Sequence, residues 1–180
     1  MSDVADVVAQ IASIEAVDER EATSLAATLE RLNWPGDPFD ETLSDHHLTA
    51  SAFILSSRGV ILHLHRRLGI WVQPGGHVDA GEGPEQACVR ETLEETGLVV
   101  IHTDPPTLFH VDVHPGPRGH THYDLRYVVL AAPLDPTPMA GESPEVYWFD
   151  FDHALLRCEK PMVAALEKLQ LASHRWRMRD

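Results

Sequence analysis

The chain has 180 residues, 43% of them hydrophobic, and a formal net charge of −14. This length suits one domain with a sizeable core. Because proteins that bind a nucleic-acid backbone neutralise phosphates with Lys and Arg, the acidic balance argues against a nucleic-acid partner. No apolar stretch approaches membrane-spanning length, and no basic segment precedes an apolar run at the N-terminus. We therefore expect a cytoplasmic protein with no membrane partner, and free thiols at both Cys88 and Cys158.

The N-terminal residues 2–33 carry apolar side chains at helical spacing. An acidic patch interrupts the pattern, which predicts two helices, or one helix broken near 16–18. Ser2 or Asp3 can cap the first helix, and Asp18 can cap the second. We predict a helical extension over residues 1–45. It covers the main domain, builds a homodimer interface or shapes substrate specificity, and the sequence leaves these three roles open.

Strand patterns begin at residue 46 and define a second region, 46–175. The runs are rich in β-branched and aromatic residues and are separated by turn residues. The predicted strands are 48–56, 59–65, 70–72, 99–102, 108–114, 122–131 and 146–149. A helical pattern between them and an amphipathic helix at 161–173 complete the domain. Strands mixed with helices in this order predict an α/β sandwich with a mixed sheet.

The stretch 75–98, GGHVDAGEGPEQACVRETLEETGL, contains the clearest chemical signal. On a helix, Glu91, Glu94 and Glu95 fall at i, i+3 and i+4, so their carboxylates share one face within a turn. Such charges repel one another on a solvated helix, whereas their hard oxygen atoms suit Mg²⁺ or Mn²⁺. Pro84 fits the first helical position and Gly97 fits the stop. Val89 and Leu93 fall roughly opposite the carboxylates and are expected to anchor the helix on the core.

These residues resemble the signature of the Nudix hydrolase family, the MutT-like pyrophosphohydrolases. That signature is a glycine, five residues, Glu, seven residues, then Arg-Glu-apolar-x-Glu-Glu-x-Gly-apolar. One position departs from it, because Thr92 stands where the family prefers an aliphatic residue. The matching positions are Gly76, Glu82, Arg90, Glu91, Glu94, Glu95, Gly97 and Leu98.

The resemblance implies a Nudix-type α/β/α sandwich with a mixed sheet and a site for Mg²⁺ or Mn²⁺. By resemblance the metal ligands are Glu91, Glu94, Glu95 and the carbonyl of Gly75, and the same three glutamates are catalytic candidates. Gly76, Glu82, Arg90 and Gly97 are expected to support the site structurally. Arg90 stands four residues before Glu94, so it can pair with that carboxylate.

The general base is open at this stage. Within the family it is a motif glutamate or a glutamate from a downstream loop. Glu142 and Glu145 precede the strand VYWF and are the nearest downstream candidates. We retain Glu145 as a catalytic candidate; the alternative is that both are ordinary loop charges.

The chain holds 12 histidines, and several alternate along predicted strands. The triplets HVDVH at 110–114 and HTHYD at 120–124 flank the turn PGPRG, so a hairpin would bring them together. Such a cluster can bind phosphate as imidazolium, hold a second metal or contact a base or ribose. The alternative is a polar sheet face without a dedicated role. His63, His65 and His77 are expected to be separate from it, and His46–His47 to be solvated. The predicted substrate-binding residues are His77, His110, His114, His120, His122 and Arg126.

We expect a hydrolase that cleaves the diphosphate of a nucleoside diphosphate linked to another group, such as ADP-ribose or a nucleotide sugar. The alternative is a nucleoside triphosphate pyrophosphohydrolase of the housecleaning (MutT) type. By resemblance to the family, an enzyme for dinucleoside polyphosphates would carry a tyrosine soon after the motif. The first tyrosine after the motif here is the more distant Tyr123, so this substrate class is disfavoured. An isopentenyl diphosphate isomerase would need a cysteine where this chain has Pro74–Gly76. A non-catalytic nucleotide sensor is less favoured because the motif glutamates are intact.

Overall fold

The computed structural model describes residues 4–101 and 105–176. The helices are α1 (Val4–Ala12), α2 (Glu19–Leu32), α3 (Pro84–Thr96), α4 (Phe151–Arg157) and α5 (Lys160–Ala172). The strands are β1 (His46–Ser56), β2 (Gly59–Leu64), β3 (Trp71–Val72), β4 (Gly75–His77), β5 (Thr107–Pro115), β6 (Thr121–Leu130) and β7 (Val146–Phe149).

All seven strands form one sheet, with β1 near its centre. The main order is β3-β2-β1-β6-β5, while β4 pairs with β1 and β7 pairs with β2. The pairing of β1 with β6 is parallel, and the other strand pairs are antiparallel. The sheet is therefore mixed, as the sequence predicted.

Alternate side chains of β1 enter two cores on opposite faces of the sheet. Ala50 and Ile54 pack with α1, α2 and α3, together with the free thiol Cys88. Phe53 and Leu55 pack with α4 and α5. Because a central strand contributes to both cores, it must be apolar on both faces, and most of β1 is buried. The predicted α/β/α layering is confirmed.

The N-terminal helices cover the domain instead of standing apart from it. The chain breaks between α1 and α2, and the Asp18 side chain accepts the Glu21 N–H at 2.8 Å as the α2 cap. Arg20 on α2 contacts Asp112 on β5 at 2.7 Å. A cap at Ser2 or Asp3 lies outside the described residues. A dimer interface, a specificity role and the division at residue 45 stay predictions.

The structure differs from the sequence prediction in three places. β4 was missed because glycines have low strand propensity, and pairing with β1 makes the segment a strand. α4 was missed because seven residues are too few to carry a helical period. The strand predicted at 99–102 is reduced to a bridge between Val100 and Ala131, and residue 102 lies outside the described part.

Within residues 4–101 and 105–176, no helix has both the length and the apolarity needed to cross a membrane.

Candidate active site

Helix α3 carries the three motif glutamates and has well-defined ends. Pro84 occupies its first turn, and Gly97 ends it in the left-handed conformation at φ 69°. A Cβ at Gly97 would collide with the Thr137 carbonyl, so glycine is required both sterically and conformationally. These features hold the carboxylate face at a fixed position relative to the sheet.

The buried stripe of α3 runs through small and polar residues. Thr92, at the position where the family prefers an aliphatic residue, is fully buried, and its hydroxyl donates to the Cys88 carbonyl at 2.8 Å. Val89 packs against the core as expected. Leu93 does not: it is 38% exposed, because the helix turns its Glu95 side toward the sheet. The prediction for Leu93 was wrong.

The three glutamates share one face but differ in exposure. The side chains of Glu91 and Glu95 are only 13% and 11% exposed, whereas that of Glu94 is 39% exposed. Burial raises the pKa of Glu95 to about 8, opposed by the hydrogen bond that its carboxylate accepts from the Gly75 N–H at 2.8 Å. Burial also raises the pKa of Glu91. Keeping buried, neighbouring carboxylates ionised is unfavourable, so the site favours binding of a cation.

Arg90 connects the carboxylates to one another. Its guanidinium donates to Glu91 at 2.8 Å and to Glu94 at 3.0 Å. It also donates to Glu82 at 3.1 Å and to the His77 carbonyl at 2.8 Å. Each of Glu91 and Glu94 uses one oxygen for Arg90, so its other oxygen is the one available to a cation. The planar fork of arginine suits this set of partners. That Arg90 and Glu82 support the site stays a prediction.

Strand β4 lies directly against the glutamates. A Cβ at Gly76 would collide with the Glu91 carboxylate, and one at Gly75 would collide with Ser51. The two glycines therefore allow the backbone to approach the carboxylates closely. Whether the Gly75 carbonyl is a metal ligand stays a prediction; its N–H group is bound to Glu95.

The loop before β7 is attached to the end of α3. The last carbonyls of a helix lack partners within it, and here Glu94 and Thr96 accept the N–H groups of Met139 and Thr137 at 2.8 and 2.7 Å. These bonds bring the loop, and Glu142 with it, to the carboxylate end of the helix.

Of the two downstream glutamates, Glu142 is the one that acts on the motif electrostatically. Its charge adds to burial in raising the pKa of both Glu91 and Glu95. Glu145 is exposed, and its backbone carbonyl accepts the Leu64 N–H at 2.8 Å. His63 Nδ1 lies 3.6 Å from Glu95 Oε1, and burial lowers the pKa of His63 to about 4.

A histidine patch lies on the other side of β4. It consists of His47, His77, His114, His120 and His122. The ring centroid of His47 is 5.1 Å from that of His77, 5.2 Å from that of His120 and 4.9 Å from that of His122. His114 and His122 are paired across β5 and β6, with centroids 5.6 Å apart. The hairpin that brings the triplets together is thus observed.

Two expectations about these histidines were wrong. His47 is fully buried instead of solvated, because β1 pairs with β6 from His46 onward. His77 belongs to the patch instead of standing apart. Burial lowers the pKa of His47, and it lowers that of His122 to about 4, so both rings are neutral near pH 7 and are poor phosphate-binding cations.

His110 and Arg126 lie away from the patch, inside the protein. They are 3% and 4% exposed. Arg126 donates to Asp112 at 3.0 Å and to Asp124 at 2.9 Å, which makes it part of a buried charge network. The sequence predicted substrate contact for both residues; in this conformation neither faces the surface.

Burial, together with the cations Arg126, Lys168 and Arg20, lowers the pKa of His110 to about 2. The nearest carboxylate, Glu21, lies 3.9 Å from His110 Nε2, but it is already bound to Lys168 Nζ at 3.0 Å. The positive charges therefore prevail around the ring.

The comparisons with known proteins agree with this geometry. A model of the NUDIX domain matches residues 45–169. The chain belongs to the Nudix family. This confirms the resemblance based on the motif, and α3 is accordingly its Nudix helix.

A solved Nudix-family hydrolase from Clostridium perfringens shares the fold with a TM-score of 0.60 and 27% identity, over 70% of this chain and 97% of that one. The uncharacterized Nudix hydrolase YvcI of Bacillus subtilis is 26% identical over 51% of this chain and 58% of its own length. The 8-oxo-dGTP diphosphatase of Haemophilus influenzae is 58% identical over 17% of this chain and 23% of its own length. The chain thus spans less than two thirds of the length of these two curated relatives.

Proposed function

We propose that this Nudix protein is a divalent-metal-dependent hydrolase of a nucleoside diphosphate linked to another group, X. The observation that carries the proposal is the carboxylate face of α3. Glu91 and Glu95 are shielded from solvent, Glu94 lies beside them, and Arg90 and the Gly75 N–H orient the set. A carboxylate cluster without a cation would be costly at this degree of burial.

The donor set suits Mg²⁺ or Mn²⁺, because all the side-chain ligands are carboxylate oxygens. In this proposal Glu91, Glu94 and Glu95 hold the ion, and the Gly75 carbonyl adds a ligand. When bound, the ion lowers the pKa of a coordinated water and neutralises phosphate charge. Arg90 keeps the carboxylates in register, and Glu82 in turn holds Arg90.

In the proposed reaction, water attacks one phosphorus atom of the diphosphate. A P–O bond forms to the water oxygen, the bridging P–O bond breaks, and the water proton passes to a carboxylate base. The products are a nucleoside monophosphate and the phosphate of X. Glu142 is the favoured base, because its charge acts on the Nudix helix. Glu145, the sequence prediction, is the alternative.

For substrate contact we favour His77 and His114, because both are partly exposed on the patch beside β4. His77 is attached to the carboxylate site through its backbone, since its carbonyl accepts a hydrogen bond from Arg90. The side chains of His110 and Arg126 would need to become exposed before they could contact a substrate.

A second candidate is a nucleoside triphosphate pyrophosphohydrolase. Similarity to the Haemophilus influenzae 8-oxo-dGTP diphosphatase favours it. The two candidates give different products: a nucleoside monophosphate plus the phosphate of X, or a nucleoside monophosphate plus pyrophosphate.

A substrate panel tests the proposal. ADP-ribose, nucleotide sugars, CDP-choline, coenzyme A, NADH, nucleoside triphosphates and dinucleoside polyphosphates are incubated with Mg²⁺, Mn²⁺ or chelator. Alkaline phosphatase reports newly formed phosphomonoesters from the substrates that carry no terminal phosphate. Inorganic pyrophosphatase reports pyrophosphate from nucleoside triphosphates, and chromatography separates the products of coenzyme A. Metal-dependent turnover of nucleoside diphosphate–X compounds is the expected result. Turnover restricted to triphosphates would select the second candidate, and no turnover by folded protein would contradict both.

A further inference from the structure

Three imidazoles of the histidine patch converge on one point. His47, His120 and His122 each offer a ring nitrogen, and these three atoms lie within 4.8 Å of one another. His47 comes from β1, and His122 is its register partner on the parallel strand β6. Strand pairing therefore places His47 beside His122, and His120 lies in the turn directly before β6.

The hydrogen bonds of His47 leave one of its nitrogens unpaired and aimed inward. His47 Nδ1 lies 3.0 Å from the Ser44 carbonyl, which can only accept, so Nδ1 carries the proton and Nε2 has the free lone pair. The His47 side chain is fully buried, and Nε2 has no hydrogen-bond partner among the described residues. An imidazole fixed by a carbonyl on one nitrogen and free on the other is typical of a metal ligand.

The neighbouring histidines repeat this feature. His122 Nε2 and His120 Nδ1 are also buried without a partner in the described part of the chain. A buried polar atom without a hydrogen-bond partner destabilises the folded protein. The same three histidines hold the converging ring nitrogens, and a shared ligand would explain why each has an unpartnered nitrogen.

The charge around the patch favours a cation over a phosphate. Asp45 Oδ1 lies 3.5 Å from His120 Nε2, and Glu41 Oε2 lies 3.4 Å from His77 Nε2. Glu41, His47 and His77 themselves form a second group with converging ligand atoms. Carboxylates this close to the imidazoles would repel an anion but stabilise a divalent ion.

We propose that His47, His120 and His122 bind one zinc ion, with Glu41 or His77 as the fourth ligand. Imidazole suits Zn²⁺, whereas Mg²⁺ prefers oxygen, so this site and the carboxylate site select different metals. Ligands 2.0–2.1 Å from a tetrahedral ion lie about 3.4 Å apart, so the rings need only small inward rotations.

The zinc ion has a structural consequence for the carboxylate site. It connects the beginning of β1 with that of β6, and with His77 as the fourth ligand it also reaches β4. That strand supplies the Gly75 N–H to Glu95 and places Gly76 against Glu91. Zinc would hold β4 in place without entering the hydrolytic reaction.

Binding is measured on tag-free protein that has been stripped with chelator and returned to excess Mg²⁺, with no nucleotide present. Zn²⁺ is titrated by calorimetry, and Co²⁺ is titrated by absorption, because tetrahedral Co²⁺ absorbs far more strongly than octahedral Co²⁺. We expect one ion per chain, tetrahedral Co²⁺ bands, and a higher Tm with Zn²⁺. His120→Ala should weaken binding at least ~10-fold, and His153→Ala, at an exposed histidine on α4, should not.

Gly116→Ala gives a second, independent variant. A Cβ there would press on the His122 ring while leaving every ligand present, so it too should weaken Zn²⁺ binding. It also remains informative if His120→Ala fails to fold.

No Zn²⁺ binding in the presence of Mg²⁺, or unchanged affinity in His120→Ala, would overturn the site. A Co²⁺ signal lost in Glu95→Gln would assign the ion to the carboxylates instead. Since no nucleotide is present, these outcomes do not depend on whether the proposed hydrolysis occurs.

Discussion

Replacing Arg90 tests how the carboxylate face is held together. In Arg90→Ala, three carboxylates lose a common cation and the His77 carbonyl loses a donor. The side chains of Glu82 and Glu91 are only 15% and 13% exposed, so water compensates poorly. Breaking a buried ion pair on one side costs about 3–5 kcal/mol. Because the Arg90 side chain is itself 25% exposed, we expect Arg90→Ala to lower the free energy of unfolding by about 2–4 kcal/mol.

The assay is urea unfolding of metal-free protein, repeated with Mg²⁺. Mg²⁺ should restore part of the loss in Arg90→Ala, because the ion supplies the missing positive charge. The stability of Arg90→Lys should fall between that of the wild type and that of Arg90→Ala, since an ammonium cannot reach all four partners at once. Arg58→Ala is the matched control: its partner Asp135 is 90% exposed, so the cost should stay below about 1 kcal/mol. If Arg90→Ala costs no more than Arg58→Ala, the reasoning is refuted.

Three further changes have defined outcomes. The folded protein lowers the pKa of His110 from 6.5 to about 2, so the unfolded chain binds the extra proton and stability falls as pH drops below 6.5. Between pH 7 and pH 5 the free energy of unfolding, measured with urea, should fall by about 2 kcal/mol more in the wild type than in His110→Gln, and equal falls would contradict this. Gly97→Ala, at φ 69°, should lower the free energy of unfolding by about 1–3 kcal/mol or more in the same assay. An unchanged value would contradict the left-handed conformation that ends α3 at Gly97. Glu142→Gln should lower kcat roughly 10²-fold or more, and Glu145→Gln far less; the reverse order would make Glu145 the base.

The Nudix helix could be predicted from sequence because its determinants are local. Pro84, Gly97 and the spacing of three glutamates all lie within one short segment. Asp18 was likewise predictable as a helix cap, since capping depends on residues within a single turn. The β5–β6 hairpin followed from two alternating runs and a glycine-rich turn.

What could not be predicted depends on contacts between distant parts of the chain. His47 was expected to be solvated because it precedes the predicted first strand, and the parallel pairing of β1 with β6 buries it. β4 is a strand because β1 pairs with it, although its sequence is Gly75-Gly76-His77. Leu93 is exposed because the Glu95 side of α3 faces the sheet. The alternating pattern of side chains along one strand does not indicate which other strand will pair with it.

The central claim is that the carboxylates of α3 hold the metal that hydrolysis requires. Glu95→Gln tests it most directly, because the change removes a charge but keeps the shape of a buried side chain that accepts the Gly75 N–H. Turnover of the best substrate is measured at saturating Mg²⁺, with Glu85→Gln on the same helix as the control. We predict that Glu95→Gln lowers kcat by orders of magnitude while Tm and circular dichroism remain those of a folded protein. Wild-type turnover by Glu95→Gln, or turnover that persists in chelator, would contradict the account.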